Sequence, residues 1–372
     1  MKILFVGGGT LGPVTPLLAV AKKLKTREPH WSLVWIGTPN GPEKKLVEAL
    51  DIPFQFLPIV KLPRYPSWRW IAFPFLWLVV RREAARLIKQ LKPDAIVTAG
   101  GFTAVPVVYA ASKKHIPCFT HQLDLVPGLA NKKIAPLCAS VTTSFEYERA
   151  PFGDRVTDEQ IPTPTLFSFT HLPSRHEALH HFGLSDGRPV TLIFGGGTGA
   201  QALNEMMDRT HHEWSKFTQV IHGTGKGKLD IRHSTLDIRK KTHGYVMREF
   251  FGEEMALAYA AADLIVCRAG MGTLSEIAAL KKAAIIVPIP KSHQEFNAQA
   301  FEEAGAAVVI RQDSKKFEEE LLAAAELLIH DEKARHEMGE RAHQFLTTDD
   351  GSAFAERIIK ILDDQNKSLH HA

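Results

Sequence analysis

Cysteine is scarce in this chain. There are three in 372 residues, Cys118, Cys138 and Cys267, far apart and each in an apolar stretch. No Cys-x-x-Cys pair and no Cys/His cluster occurs, which argues against a disulfide framework or a zinc site and suits a reducing compartment. Also missing is any Asp-x-Asp element of the kind that holds a metal on a nucleotide diphosphate, so no metal and no cofactor are expected. No Ser/His/Asp or Cys/His nucleophile set can be assembled from the spacing. His176, His180 and His181 include an i, i+4 pair, but no acid or cysteine converges with them and they read as surface residues. Charge of one sign is nearly balanced, with 45 Lys and Arg against 41 Asp and Glu. A net charge of +4 makes no case for nucleic acid as a partner. Long hydrophobic runs are lacking too. The longest, residues 70–80, is about half of the ~20 residues a spanning helix needs. The opening Met-Lys-Ile-Leu-Phe-Val has neither a basic leader nor a cleavage site, and is expected to be a first strand rather than a signal peptide.

What is present describes a globular protein. Hydrophobic residues make up 45% and charged residues 23%, and at roughly 100–200 residues per domain the length implies two domains. Residues 3–6 read as a strand that runs into Gly7-Gly-Gly-Thr-Leu-Gly12 and then a helix through Leu17, Val20, Ala21 and Leu24. Gly7, Gly9 and Gly12 fit a dinucleotide fingerprint, but that fold also needs an acid at the end of the next strand. That strand, residues 33–36, ends in Gly37-Thr38 instead. A phosphate-cradling turn survives; an NAD site does not.

Strands at 95–98, 118–120 and 140–143 alternate with helical stretches, the pattern of a parallel α/β sheet whose loops gather at the strand C-termini. Prolines at 162 and 164 mark a linker. A helix follows at 175–182, and then residues 190–194 run straight into Gly195-Gly-Gly-Thr-Gly-Ala200 and another helix. The same grammar twice implies two Rossmann-like halves. Residues 223–228 imitate a phosphate loop, but no Ser or Thr follows Lys226, and they read as a turn.

The most informative stretch is Asp263-Leu-Ile-Val-Cys-Arg-Ala-Gly-Met-Gly-Thr-Leu-Ser-Glu276. A buried strand turns through glycines into a helix, whose first N–H groups and dipole form an anion site. Glu276 then either accepts from a ribose diol or caps its own helix.

These residues, taken together, resemble the MurG family of glycosyltransferases, which add N-acetylglucosamine to lipid I to make lipid II in peptidoglycan synthesis. The matching blocks span nearly the whole chain. In the first half they are Gly8 to Gly12 with Pro16, Gly100-Gly-Phe with Pro106, and His121-Gln-Leu-Asp124 with Gly128-Leu-Ala-Asn131. In the second half they are Gly195 to Ala200 with Asn204, Glu249-Phe-Phe251 with Met255 and Tyr259, Cys267-Arg-Ala-Gly270 with Ser275-Glu276, and His293-Gln294 with Asn297-Ala298.

The resemblance implies a GT-B fold, two Rossmann-like parallel-sheet domains facing across a cleft. It places an acceptor-binding, membrane-associating domain at residues 1–162, a UDP-GlcNAc domain at 163–350, and a terminal helix returning to the first domain at 351–372. The implied donor set is Gly197, Thr198 and Gly199; Phe251 (for uracil) and Met255; Arg268; Met271, Gly272, Thr273, Leu274 and Ser275 (for the diphosphate); Glu276 (for the ribose); and Gln294 (for the sugar) with Asn297. Thr10, Leu11, Gly12 and Asp124 would face the acceptor, undecaprenyl-linked lipid I.

Three departures fall on the acceptor side or the hinge. The family's first loop ends in a histidine where this chain has Pro13, its His-Glu-Gln-Asn block is His121-Gln-Leu-Asp124, and the arginine after the interdomain proline has no counterpart. Proline cannot accept a proton, so the general base is expected at the end of the strand 118–120. It is His121, with Asp124 orienting it or the acceptor, or Asp124 itself, or else a residue the sequence does not identify.

Residues 64–92 hold three of the six tryptophans, among them Trp70 and Trp77, together with Phe73, Phe75 and five arginines including Arg81. Trp70, Phe73, Trp77 and Arg81 are expected to rest on an anionic surface, the cytoplasmic face of the cell membrane. The helix is expected to start near Pro74, with Leu76, Val79, Val80, Leu87 and Leu91 toward the core. Two other functions share the fold: another lipid-directed GT-B transferase, and a UDP-GlcNAc 2-epimerase-like isomerase.

Overall fold

The computed structural model describes residues 1–59, 69–147, 149–154, 156–167, 172–196, 200–228 and 244–370. The chain divides into two units, residues 1–166 with 349–372, and residues 167–348.

In the first unit the strands are β1 (Lys2–Val6), β2 (Ser32–Gly37), β3 (Phe54–Phe56), β4 (Ala95–Thr98), β5 (Cys118–Gln122), β6 (Ser140–Thr143) and β7 (Asp158–Gln160). They form a parallel sheet in the order β3-β2-β1-β4-β5-β6-β7. Helices α1 (Val14–Arg27), α2 (Glu43–Glu48), α3 (Arg69–Leu91), α4 (Ala104–Ser112) and α5 (Leu129–Ile134) supply the crossovers. The central strands are short, β-branched and apolar because both sheet faces are covered. Leu4, Val6, Ile96, Val107 and Ile88 share one core. A two-residue strand, β8 (Thr163–Pro164), follows, so the proline-marked segment is ordered by pairing with a later strand.

The second unit repeats the plan. Its strands β9 (Val190–Phe194), β10 (Gln219–Gly223), β11 (Tyr245–Arg248), β12 (Leu264–Cys267), β13 (Ala284–Ile286) and β14 (Val308–Val309) pair in parallel as β11-β10-β9-β12-β13-β14. Its helices are α6 (Arg175–Phe182), α7 (Gln201–Phe217), α8 (Met255–Ala261), α9 (Met271–Ala279), α10 (Gln294–Glu303), α11 (Phe317–His330) and α12 (Glu332–Phe345). The helix at 175–182 falls where the sequence places it, capped by the Ser174 hydroxyl on the Glu177 N–H and closed by left-handed Gly183.

β15 (Thr348–Asp349) pairs with β8, and α13 (Ser352–His370) packs on α1 within the first unit. Asp349 holds the start of α13, accepting from the Gly351 and Ala353 N–H groups at 2.9 and 2.7 Å. Arg357 on α13 pairs with Glu159 at 3.2 Å.

Both sheets reverse their winding at one place, between β1 and β4 in the first unit and between β9 and β12 in the second. Loops diverge there at the strand C-termini and leave a crevice, the usual ligand site of such sheets. The first glycine turn and the Gly100-Gly101 turn border one of these points. Gly195 and Gly196, just past β9, and the start of α9 border the other.

Candidate functional sites

The first glycine turn is held from beneath. Buried Trp35 donates Nε1–H to the Gly7 carbonyl at 2.8 Å. Glu43, at the start of α2 and fully buried, accepts through Oε1 from the Thr38 N–H at 2.7 Å, the Thr38 hydroxyl at 2.6 Å and the Gly9 N–H at 3.3 Å. The acid absent from the end of β2 is thus supplied six residues later, and it is bonded to the protein's own loop. Gly9 has φ +84°, and a Cβ there would stand 2.5 Å from the Phe102 ring, so only glycine fits between the two turns. Thr10 is exposed, and Leu11 and Gly12 are half-buried at the start of α1. The Leu11 carbonyl accepts from the N–H groups of Val14 and Thr15 at 3.0 and 3.1 Å.

β5 carries His121 to the C-terminal edge of the sheet, and Asp124 follows just past the strand. His121 is 1% exposed. Its Nδ1 lies 2.9 Å from the Thr142 hydroxyl and its Nε2 3.1 Å from the Ser144 hydroxyl, and the ring rests 5.6 Å from that of Phe354 on α13. Burial pushes its pKa down to about 3. Both ring nitrogens are therefore occupied, and the buried imidazole is a weak proton acceptor. Asp124 is half-exposed just past the strand. Its backbone carbonyl accepts from Gln122 Nε2 at 2.6 Å and the Tyr147 hydroxyl at 3.2 Å, and Asn131 Nδ2 fixes the Gln122 amide at 2.5 Å.

In the second unit the N–H groups of Met271, Gly272 and Thr273 open α9, after Gly270 in extended conformation. The first turn of a helix leaves such groups without intrahelical partners. Ser275 donates its hydroxyl to the Gly272 carbonyl at 2.9 Å, and Leu274 is fully buried, so its side chain belongs to the core. Glu276 is the sixth residue of α9, past the first turn. Its Oε2 accepts from the Tyr259 phenol at 2.5 Å instead of from the backbone at the helix start. Burial raises its pKa to about 7, against the lowering effect of that phenol.

Gln294 opens α10 and accepts from the Ile289 N–H at 3.2 Å; its amide lies beside Gly270, 3.9 Å from where a Cβ would sit. Buried Asn297 donates to the Ala269 carbonyl at 3.1 Å, bracing the strand-to-helix turn from behind. Arg268 is also turned inward. Its Nη1 donates to the carbonyls of Val287 and Pro288 at 2.9 and 3.1 Å, and burial lowers its pKa.

Phe251 covers the end of β10, where a side chain on Gly223 would meet its ring at 2.7 Å. Its carbonyl accepts from the Glu254 N–H at 2.9 Å, and Met255 follows half-buried at the start of α8. Gly197, Thr198 and Gly199 lie outside the described residues.

Three features carry no local sequence signal: Glu43 under the first turn, Tyr259 on Glu276, and a buried chain behind β10. In that chain His222 spans Tyr245 and Asn204 at 2.7 and 3.0 Å, and Asn204 donates to the Thr224 carbonyl at 2.9 Å. Asn204 and Tyr259 stand in blocks shared with the family, but nothing in their spacing names their partners. Among the described residues no group of three or more His, Cys, Asp or Glu side chains is placed to hold a metal.

α3 begins at Arg69, five residues before Pro74, so the proline lies inside the helix and not at its start. Val80 and Leu87 are buried as expected, but Leu76 and Val79 are exposed, at 43% and 56%. Phe75 is 73% exposed, and half-buried Phe73 and Trp77 stack at 6.2 Å. The aromatics therefore do not all enter the core. The side chain of Trp70 lies outside the described residues, and Arg81 is half-buried. Among the described residues no helix is long and apolar enough to cross a membrane.

Two family models match the chain: the glycosyltransferase family 28 N-terminal domain over residues 3–143 and the glycosyltransferase family 28 C-terminal domain over residues 190–355. A protein of Lachnospira eligens, named UDP-N-acetylglucosamine–N-acetylmuramyl-(pentapeptide) pyrophosphoryl-undecaprenol N-acetylglucosamine transferase, is 34% identical over 97% of both chains. The chain belongs to the MurG family. The crystal structure of Acinetobacter baumannii MurG superposes with a TM-score of 0.69 at 28% identity, covering 96% of this chain and 99% of that one. A UDP-GlcNAc 2-epimerase from Neisseria meningitidis, bound to UDP-GlcNAc, gives 0.65 at 14% identity over 97% of this chain and all of that one, a likeness of fold alone. Within the MurG family, then, this chain keeps the GT-B pair of Rossmann-like domains while carrying Pro13 and Asp124 in the first of them.

Proposed function

We propose that this protein transfers N-acetylglucosamine from UDP-GlcNAc to lipid I, forming lipid II for peptidoglycan. The end-to-end match to a transferase of that name carries the reading. Residues 163–350 take the donor. The N–H groups of Met271 to Thr273 meet the diphosphate, Glu276 accepts from the ribose, Phe251 borders the uracil and Gln294 reaches the sugar. The charge of the diphosphate falls where the helix dipole favours it. Residues 1–162 take the acceptor, with Thr10 to Gly12 toward its diphosphate and Asp124 toward the attacking hydroxyl. The terminal stretch 351–372 completes that domain.

In an inverting displacement the acceptor hydroxyl loses its proton to Asp124 as its oxygen attacks the anomeric carbon, and UDP leaves from the opposite face. His121 serves from behind: its neutral ring ties β5 to Thr142 and Ser144 of the neighbouring strand end. The test is to incubate the purified protein with UDP-GlcNAc and lipid I. Disaccharide product is expected. Epimerised UDP-sugar without transfer would give the isomerase reading instead.

The protein works, in this reading, as a peripheral enzyme on the cytoplasmic face of the membrane, docked through α3. Phe75, Leu76, Leu78 and Val79 are exposed there beside Arg81 and Arg82, and apolar and cationic residues together suit the headgroup boundary. Combining Phe73→Ser, Phe75→Ser, Trp77→Ser and Arg81→Glu is expected to abolish cosedimentation with anionic phospholipid vesicles. Vesicle binding that persists in the folded variant would remove α3 from the membrane.

A further inference from the structure

Tyr259 and Glu276 are 17 residues apart in sequence but meet at the point where the second sheet reverses its winding. α8 carries the tyrosine into β12, and the chain turns back through Gly270 into α9. The phenol is rigidly placed. Its ring is fully buried and lies edge-on to Phe194, at the end of β9, and to Phe167, with centroids 6.2 and 5.3 Å away. A hydroxyl on such a ring points one way, and here it points at a carboxylate oxygen 2.5 Å distant.

We propose that Tyr259 is a positioning residue for the donor: its hydroxyl orients the Glu276 carboxylate and favours its ionised form, so that the remaining lone pairs accept from the ribose diol. The inference rests on the ribose role given to Glu276 above. A carboxylate accepts charge-assisted hydrogen bonds from a diol, whereas a protonated acid offers a weaker acceptor and a misplaced proton. Burial alone drives Glu276 toward the neutral form, and the phenol acts against that. The other ionisable groups at the end of β12 leave this to Tyr259. The Cys267 thiol is pushed up, by burial first and then by Glu276 itself, and stays protonated, while Arg268 is bonded to the 287 and 288 carbonyls. From α12, on another side of α9, His343 reaches the Ala278 carbonyl at 3.0 Å.

The test uses the full chain and calorimetric titration with UDP and 2′-deoxy-UDP across pH. In the unaltered protein UDP affinity should climb as pH rises through about 7. Tyr259→Phe keeps the ring between Phe194 and Phe167. It should move that midpoint upward, weaken UDP about tenfold near neutrality with the gap narrowing at higher pH, and reduce the preference for UDP over 2′-deoxy-UDP. In a Glu276→Gln background Tyr259→Phe should change little, since no ionised partner remains. If Glu276→Gln binds UDP as well as the unaltered protein, the ribose role itself is wrong. If Glu276→Gln is impaired but Tyr259→Phe keeps the original midpoint and the original 2′-hydroxyl preference, Tyr259 is packing and the proposal is overturned.

Discussion

Asp124→Asn is expected to lower kcat by about 10²–10⁴-fold, with UDP affinity unchanged. The substitution keeps the shape of the side chain and removes its capacity to take a proton. The backbone of residue 124 is held by Gln122 and Tyr147, which the asparagine leaves in place. The competing base is His121, and substitution read across a pH profile separates the two. Burial puts His121 at about 3 with both ring nitrogens engaged, so it offers no titration near neutrality. The profile must be taken as kcat at saturating donor, because Glu276 is expected to impose its own limb near pH 7 on any quantity that includes donor binding. A loss of kcat in Asp124→Asn at every pH tested, with UDP affinity kept, supports the assignment. A full rate in Asp124→Asn at saturating donor would take the base out of this loop.

The second large effect pairs a loss of binding with a gain in stability. Glu276→Gln is expected to weaken UDP by about tenfold or more at pH 8, because a neutral amide replaces a charge-assisted acceptor. The same substitution should stabilise the free protein at that pH. The sign follows from linkage. Burial raises the folded carboxylate from 4.5 to about 7, so between those values the folded chain holds a proton the unfolded chain has released. Stability from this group is full below about pH 4.5 and is lost as pH rises to about 7, a change of order 3 kcal/mol. Glutamine never ionises, so it lacks that slope and still accepts from Tyr259. Denaturant titrations of both proteins at about pH 5 and pH 8 check this. Equal stability differences at the two pH values would mean that Glu276 is not held neutral by the fold.

The sequence by itself determined the two glycine turns, the repeated strand–turn–helix grammar, the parallel sheets and the family. These signals are local: a strand buried on both faces is a continuous apolar run, and a phosphate-type turn needs its glycines within a few residues. Only the tertiary structure decided what the polar residues in those elements do. Every residue of β5 is buried, so no alternation told that His121 faces Thr142 and Ser144 while Asp124, three residues on, reaches solvent. Glu43 meets Gly9 from 34 residues away, and Tyr259 meets Glu276 from 17, because crossovers through helices return the chain to the same sheet edge. The helical period of α3 pointed Leu76 and Val79 inward, yet both are exposed, since the pattern gives spacing along a helix and not how far its neighbours extend to cover it. A hydrogen-bond partner or a covering surface supplied by a distant segment leaves no mark in the local pattern, and both sites are built from such partners.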